Sequence, residues 1–142
     1  SLQLSEAVLV DLGVPMGRHP MHLLRPHLER FGVQPSSVLR DYPNGRLARA
    51  SGLVTHRQRP ETAKGTIFVT LEDETGAVNV IVWPDLVERY RKEVVTARLM
   101  TVYGIWQRDE HTGGQVMHLV ARRVVDHTAL LGRLQSRSRD FH

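Results

Sequence analysis

The chain of 142 residues contains no cysteine. Disulfides, thiolate metal sites and a cysteine nucleophile are thereby excluded, and the composition fits a reducing compartment, read here as the cytoplasm. No apolar run approaches the ~18 residues that a membrane-spanning helix needs, so no membrane partner is expected. The opening SLQLSEAVLVDLG has no basic stretch and carries Glu6 and Asp11, which does not fit a signal peptide. It also begins without Met and in mid-pattern, as expected of a piece of something longer. What is present is ordinary for a globular domain: 41% apolar and 24% charged residues, with a net charge of +4. That charge permits a polyanionic partner without requiring one.

Two hydrophobic periods divide the chain. Residues 1–45 read as a helical segment. Ser5 is placed to cap a short helix ending at Gly13, and Pro20 sits at the first turn of a second, whose Leu23, Leu24, Leu28 and Phe31 recur at helical spacing until Gly32. Ser36 to Leu39 adds one further turn, and Asp41 to Gly45 is a turn cluster. From Arg46 the period becomes two. Strands are predicted to end near Gln58 and to span Thr66–Glu72, Val78–Trp83, Leu99–Gln107 and Val116–Val125, with one helix over Pro84–Val94. Five strands with a helix between the third and fourth predict a mainly β fold, an OB-fold barrel over residues 46–126. Gly52 and Gly104 fall inside strands, where a barrel bends. Residues 127–142 read as a short helix followed by a polar tail.

The candidate functional residues gather around the second strand. Arg57, Arg59 and Lys64 make the loop between strands one and two basic, and in an OB barrel that loop rims the ligand groove. Arginine supplies forked donors to phosphate, while Gly65 lets a ligand approach the backbone. The other reading is a solvated loop without a partner. Alternation puts Ile67, Val69 and Leu71 on the core face and Phe68, Thr70 and Glu72 opposite. An outward Phe68 is a stacking platform for a base, with Asn79 placed to bond a base edge. Alternatively, Phe68 packs beneath the N-terminal helices or the tail. Arg108, at the end of strand four, completes the contact set. Trp83 and Trp106 are weaker stacking candidates, since rings near strand ends more often serve as core or lid packing.

Other constellations carry less. Glu72, Asp73 and Glu74 point to alternate sides and do not converge as Mg²⁺ ligands; they read as a solvated hairpin turn. His19 and His22 share a helical face, but zinc needs two more ligands. Lys64-Gly65-Thr66 has the wrong order and context for a phosphate loop, and no nucleophile elbow is present. Arg122, Arg123, Arg133, Arg137 and Arg139 form a second basic region, which would extend a backbone-tracking groove, contact another protein, or simply be solvated.

RQRP-x-TAKG-x-IFVTLEDETG-x-VNVIVWP, with ERYR, VYGIWQR, the upstream GRHPMHLLR and the terminal SRSRDFH, resembles the C-terminal OB region of error-prone C-family bacterial DNA polymerases, damage-induced relatives of the replicative alpha subunit. The shorter FVTLEDETG core is also similar to the anticodon-binding OB domains of class II aminoacyl-tRNA synthetases. There an aromatic matching Phe68 stacks on a base and a polar residue matching Asn79 contacts one. The polymerase resemblance implies a non-catalytic module for single-stranded template DNA. Catalytic carboxylates and Mg²⁺ would belong to a palm domain elsewhere, and no cofactor would bind here. It also implies contact with the rest of the polymerase chain. A rival role is docking of accessory proteins, among them an inactive polymerase-like adaptor and a RecA-like protein.

Overall fold

The computed structural model describes residues 19–132. The predicted helix from Ser5 to Gly13, the tail, and Arg133, Arg137 and Arg139 lie outside those residues. Helix α1, Pro20–Glu29, starts where the sequence places it: His19 is the N-cap, its Nδ1 accepting the Met21 N–H at 3.1 Å, and Pro20 occupies the first turn. Gly32 adopts φ +72° just beyond the helix, a conformation that favours glycine. Helix α2 is the short Ser36–Leu39.

Five strands follow: β1 Leu47–Gln58, β2 Ile67–Asp73, β3 Gly76–Val82, β4 Leu99–Arg108 and β5 Met117–Asp126. They close into a barrel in the order β1-β2-β3-β5-β4. All pairings are antiparallel except β3 with β5. This is the expected five-stranded OB barrel. β1 serves two neighbours, its first half pairing with β4 and its second half with β2. The handover falls at Gly52, where a Cβ would stand 2.9 Å from the Glu72 carbonyl oxygen, so only glycine lets the strands pass. Between β3 and β4 the single predicted helix is two: α3, Pro84–Arg89, and α4, Arg91–Thr96, broken at Tyr90, whose φ −117°, ψ 31° leaves the helical region.

The described residues form two cores. Inside the barrel, Ile67, Val69, Leu71, Val80, Val102 and Leu119 pack with Val94 and Ala97 from the α4 end. Outside it, Met21, Leu24, Leu28 and Val33 cover Leu53 of β1 and Leu99 of β4, together with Leu130 and Leu131 from the helical residues 129–132. Part of the barrel's outer wall is therefore interior to the protein.

That covering corrects the expectation for the acidic turn. Glu72 faces outward on β2, as alternation predicts, but it is only 3% exposed, and Asp73 is buried with it. The His19 Nε2 lies 3.6 Å from Glu72 Oε1. Asp73 accepts backbone N–H groups from Ser36 at 2.8 Å, Thr75 at 2.8 Å and Gly76 at 3.0 Å, and the hydroxyls of Ser36 and Thr75. Arg25 pairs with Glu74 through two nitrogens and reaches Asp73 at 3.5 Å. The turn is a hairpin, as read, yet its carboxylates fasten α1 and α2 to the barrel instead of meeting solvent.

Candidate nucleic-acid interface

Phe68 stays uncovered because it lies at the opposite end of β2 from Glu72; it is 36% exposed while Ile67 and Val69 on either side are buried. Strand register sets its neighbours. Phe68 pairs with Gln58 of β1 and with Ile81 of β3; one step along the outer face, Thr70 pairs with His56 and with Asn79. β5 runs beside β3 and adds His118, whose Nε2 lies 3.2 Å from Gln107 Oε1 of β4. These side chains, with Val116 of the β4–β5 loop and Met117, line a hollow of about 320 Å³. A second hollow of about 280 Å³ continues it past Asn79, Val116 and Met117 toward Arg40. The result is a groove with a ring and aliphatic floor at one end and hydrogen-bonding groups along it.

The β1–β2 loop holds one 3-10 turn, Glu61–Ala63, closed by Lys64 in the left-handed region at φ 50° and by Gly65 at φ 97°. Arg59 and Lys64 are both exposed on it. The β4–β5 loop is shaped by Asp109, which accepts the His111 N–H at 2.8 Å, and by Gly113 and Gly114, both at positive φ.

Phe68 and Asn79 thus share the groove, with Arg59 and Lys64 on the adjoining loop. Arg57 and Arg108, the other two cations of the expected contact set, also hydrogen-bond within the chain, Arg57 while exposed and Arg108 while half-buried. Arg57 pairs with the core residue Val69, so its side chain leaves from the inner face at the barrel end, where it donates to the carbonyls of Val94, at 2.8 Å, and Ala97. Burial lowers its pKa, opposed by the charge of Asp126. Arg108 donates to the carbonyls of Tyr42 at 2.7 Å, Gly114 at 3.0 Å and Arg40. Both arginines tie chain segments together.

Sequence reasoning missed His56, Gln58, Ile81 and His118. Their signal was the same alternation that exposed Phe68, but it becomes a site only once the strand pairing is known. Trp106 is core, at 2% exposure, as read; Trp83 is not, at 52%. Arg122 and Arg123 are both exposed although consecutive in a strand. A register shift opposite Tyr103 and Gly104 leaves Arg122 unpaired, and such a bulge breaks the alternation. Gly104 permits it: a Cβ there would lie 2.0 Å from the Val120 carbonyl oxygen. The acidic residues Glu72 to Glu74 do not suit Mg²⁺, since internal donors occupy Asp73 and Glu74. Among the described residues no three His, Asp or Glu side chains converge as metal ligands.

Residues 48–125 match the family described as an OB-fold nucleic acid binding domain. A protein named error-prone DNA polymerase from Ralstonia nicotianae is 58% identical over 142 residues, which is 98% of this chain and 13% of that protein. One of the same name from Bordetella parapertussis is 54% identical over 137 residues, 93% of this chain and 13% of its own length. Among solved structures, asparaginyl-tRNA synthetase from Pyrococcus horikoshii complexed with asparaginyl-adenylate aligns with a TM-score of 0.48 and 26% identity, over 59% of this chain and 19% of that one. The chain is similar, along nearly all its length, to a segment of error-prone DNA polymerases about one eighth as long as the whole, and through its barrel it belongs to the family of OB-fold nucleic acid binding domains.

Proposed function

We propose that the groove over β2 and β3 binds single-stranded template DNA, as a non-catalytic module of a longer error-prone polymerase that copies damaged DNA. One observation carries this reading: Phe68 stands in a groove with Ile81, Thr70, Asn79 and His118, at the end of β2 that leads into the loop bearing Arg59 and Lys64. A ring face stacks on any base, which suits a template of arbitrary sequence. Amide and imidazole groups beside it bond base edges, and the cations hold the phosphates without ordering them rigidly. Stacking combined with phosphate contacts gives binding that is tolerant of sequence and sensitive to salt.

Nucleotide transfer, with its Mg²⁺, would belong to other parts of the polymerase; this segment would guide the strand. The test is fluorescence anisotropy with a labelled single-stranded oligonucleotide. Binding that weakens in Phe68→Ala and as salt rises is expected. Absence of binding at low salt, or binding indifferent to Phe68, Asn79 and salt together, overturns the reading.

A further inference from the structure

Trp83 is the anomaly of the outer surface. Large rings are ordinarily withdrawn from water, yet this one is 52% exposed beside a fully buried Val82. The backbone explains where it faces. Trp83 follows β3 with φ −67° and ψ 157°, still extended, so alternation runs on through it. Asn79 is exposed, Val80 buried, Ile81 half-buried, Val82 buried and Trp83 exposed. Asn79, Ile81 and Trp83 therefore form one file along the outer face of β3, with steps of about 7 Å at the rise of a strand. Ile81 pairs with Phe68, so Trp83 stands one step beyond the floor of the groove, toward the β1–β2 loop. That loop packs against the same corner: a Cβ on Gly65 would lie 3.7 Å from Pro84. The loop that bears Lys64 thus abuts the residue next to Trp83.

Helix α3 begins at Pro84, and Trp83 makes no hydrogen bond as its cap. It joins neither core cluster among the described residues. An unpacked ring in line with a stacking surface, beside a loop that carries a lysine, has the chemistry that receives an unpaired base.

We propose that Trp83 is a second stacking platform, which takes a base of the same strand beyond the one on Phe68 and lengthens the site toward the β1–β2 loop. This rests on the groove reading above.

The chain has two tryptophans, and the other, Trp106, is buried in the barrel. Both emit, but contact with a base can quench only the exposed ring, so the change on titration reports on Trp83. Titration of the 142-residue chain with an unlabelled oligothymidylate about a dozen nucleotides long is expected to quench it, with the quench lost in Trp83→Phe because Trp106 remains buried. By anisotropy with the same oligonucleotide, Trp83→Ala is expected to bind about tenfold or more weakly and Trp83→Phe nearly as well as the parent chain. Trp83→Leu, apolar without a ring face, should resemble Ala. Phe68→Ala is measured in parallel. Weakening by Phe68→Ala without a quench or an effect of Trp83→Ala overturns this proposal alone and leaves an exposed ring for a protein partner. A quench with weakening by Trp83→Ala but not by Phe68→Ala keeps Trp83 as a contact and overturns its place as a platform second to Phe68. No binding by the parent chain overturns both.

Discussion

The Nε–H of Arg57 donates to the carbonyl oxygen of Val94 at 2.8 Å, and a second nitrogen of the same guanidinium donates to Ala97. The end of β1 is thereby tied to the last turn of α4, whose final carbonyls have no helical partner. A cation at that end also suits the helix dipole. Arg57→Ala is expected to cost about 1–3 kcal/mol of stability, read as a lower midpoint in urea unfolding. Oligonucleotide affinity of the folded variant should change little. Arg57→Lys, lacking the fork, should recover only part of the loss. A large loss of affinity at unchanged stability would return Arg57 to the binding surface.

Arg59 and Lys64 should behave oppositely. Each phosphate contact contributes about 0.7 to the slope of log affinity against log salt for a single strand. Arg59→Gln with Lys64→Gln is expected to flatten that slope by about 1.4 while leaving the unfolding midpoint in place. Phe68→Ala should lower affinity at every salt concentration and leave the slope alone. An unchanged slope in the double variant would show that this loop holds no phosphate.

Asp73 accepts hydrogen bonds from both α2 and its own hairpin turn while lying 3.5 Å from Arg25. Asp73→Ala leaves the backbone donors of Ser36, Thr75 and Gly76 without their acceptor. The expected cost is about 2–4 kcal/mol by urea unfolding, with Asp73→Asn intermediate. Loss of affinity without loss of stability would contradict this structural role.

Stability should fall on acidification in two stages. Burial lowers the pKa of His19, and the nearby Glu74 and Asp73 only partly offset it. The unfolded chain therefore takes up protons below about 6.5 before the folded one does, and stability declines from there. Burial acts to raise the pKa of Glu74, but the hydrogen bond and charge of Arg25 outweigh it and hold the carboxyl below its ordinary 4.5. Its contribution is present above 4.5 and is lost as pH falls through the lower folded value. Glu74→Gln should flatten the second stage. His19→Asn should shrink the first, the remainder belonging to His127, whose pKa burial also lowers against the charge of Asp126. Unfolding midpoints between pH 3 and 8 that leave both stages undiminished in the variants would refute the assignment.

The barrel was legible because alternation, turn residues and strand glycines are local signals, and in β2 they agree. The same alternation exposed Phe68. It could not show that α1 and α2 would settle over the far end of β2, so Glu72 points outward, as read, and is still buried. Nor could it show that Arg57 and Arg108 would find carbonyls 37 and 66 residues away, since nothing near either residue marks the partner. The break at Tyr90 was hidden by apolar spacing that suits one helix or two. Arg122 and Arg123 escaped because a bulge depends on register with the neighbouring strand. Trp83 ranked low because a ring at a strand end is usually covered; here extended backbone runs through to the helix cap, and among the described residues the ring is left half exposed.

The clasp between Arg25 and the β2–β3 turn holds the hairpin whose outer faces floor the groove. Paired charges on α1 fix that hairpin at its tip, while Phe68 stands uncovered at the other end of β2. The floor of the groove is thus anchored on the side away from its ring, and the surface left open is the one without a helix laid over it.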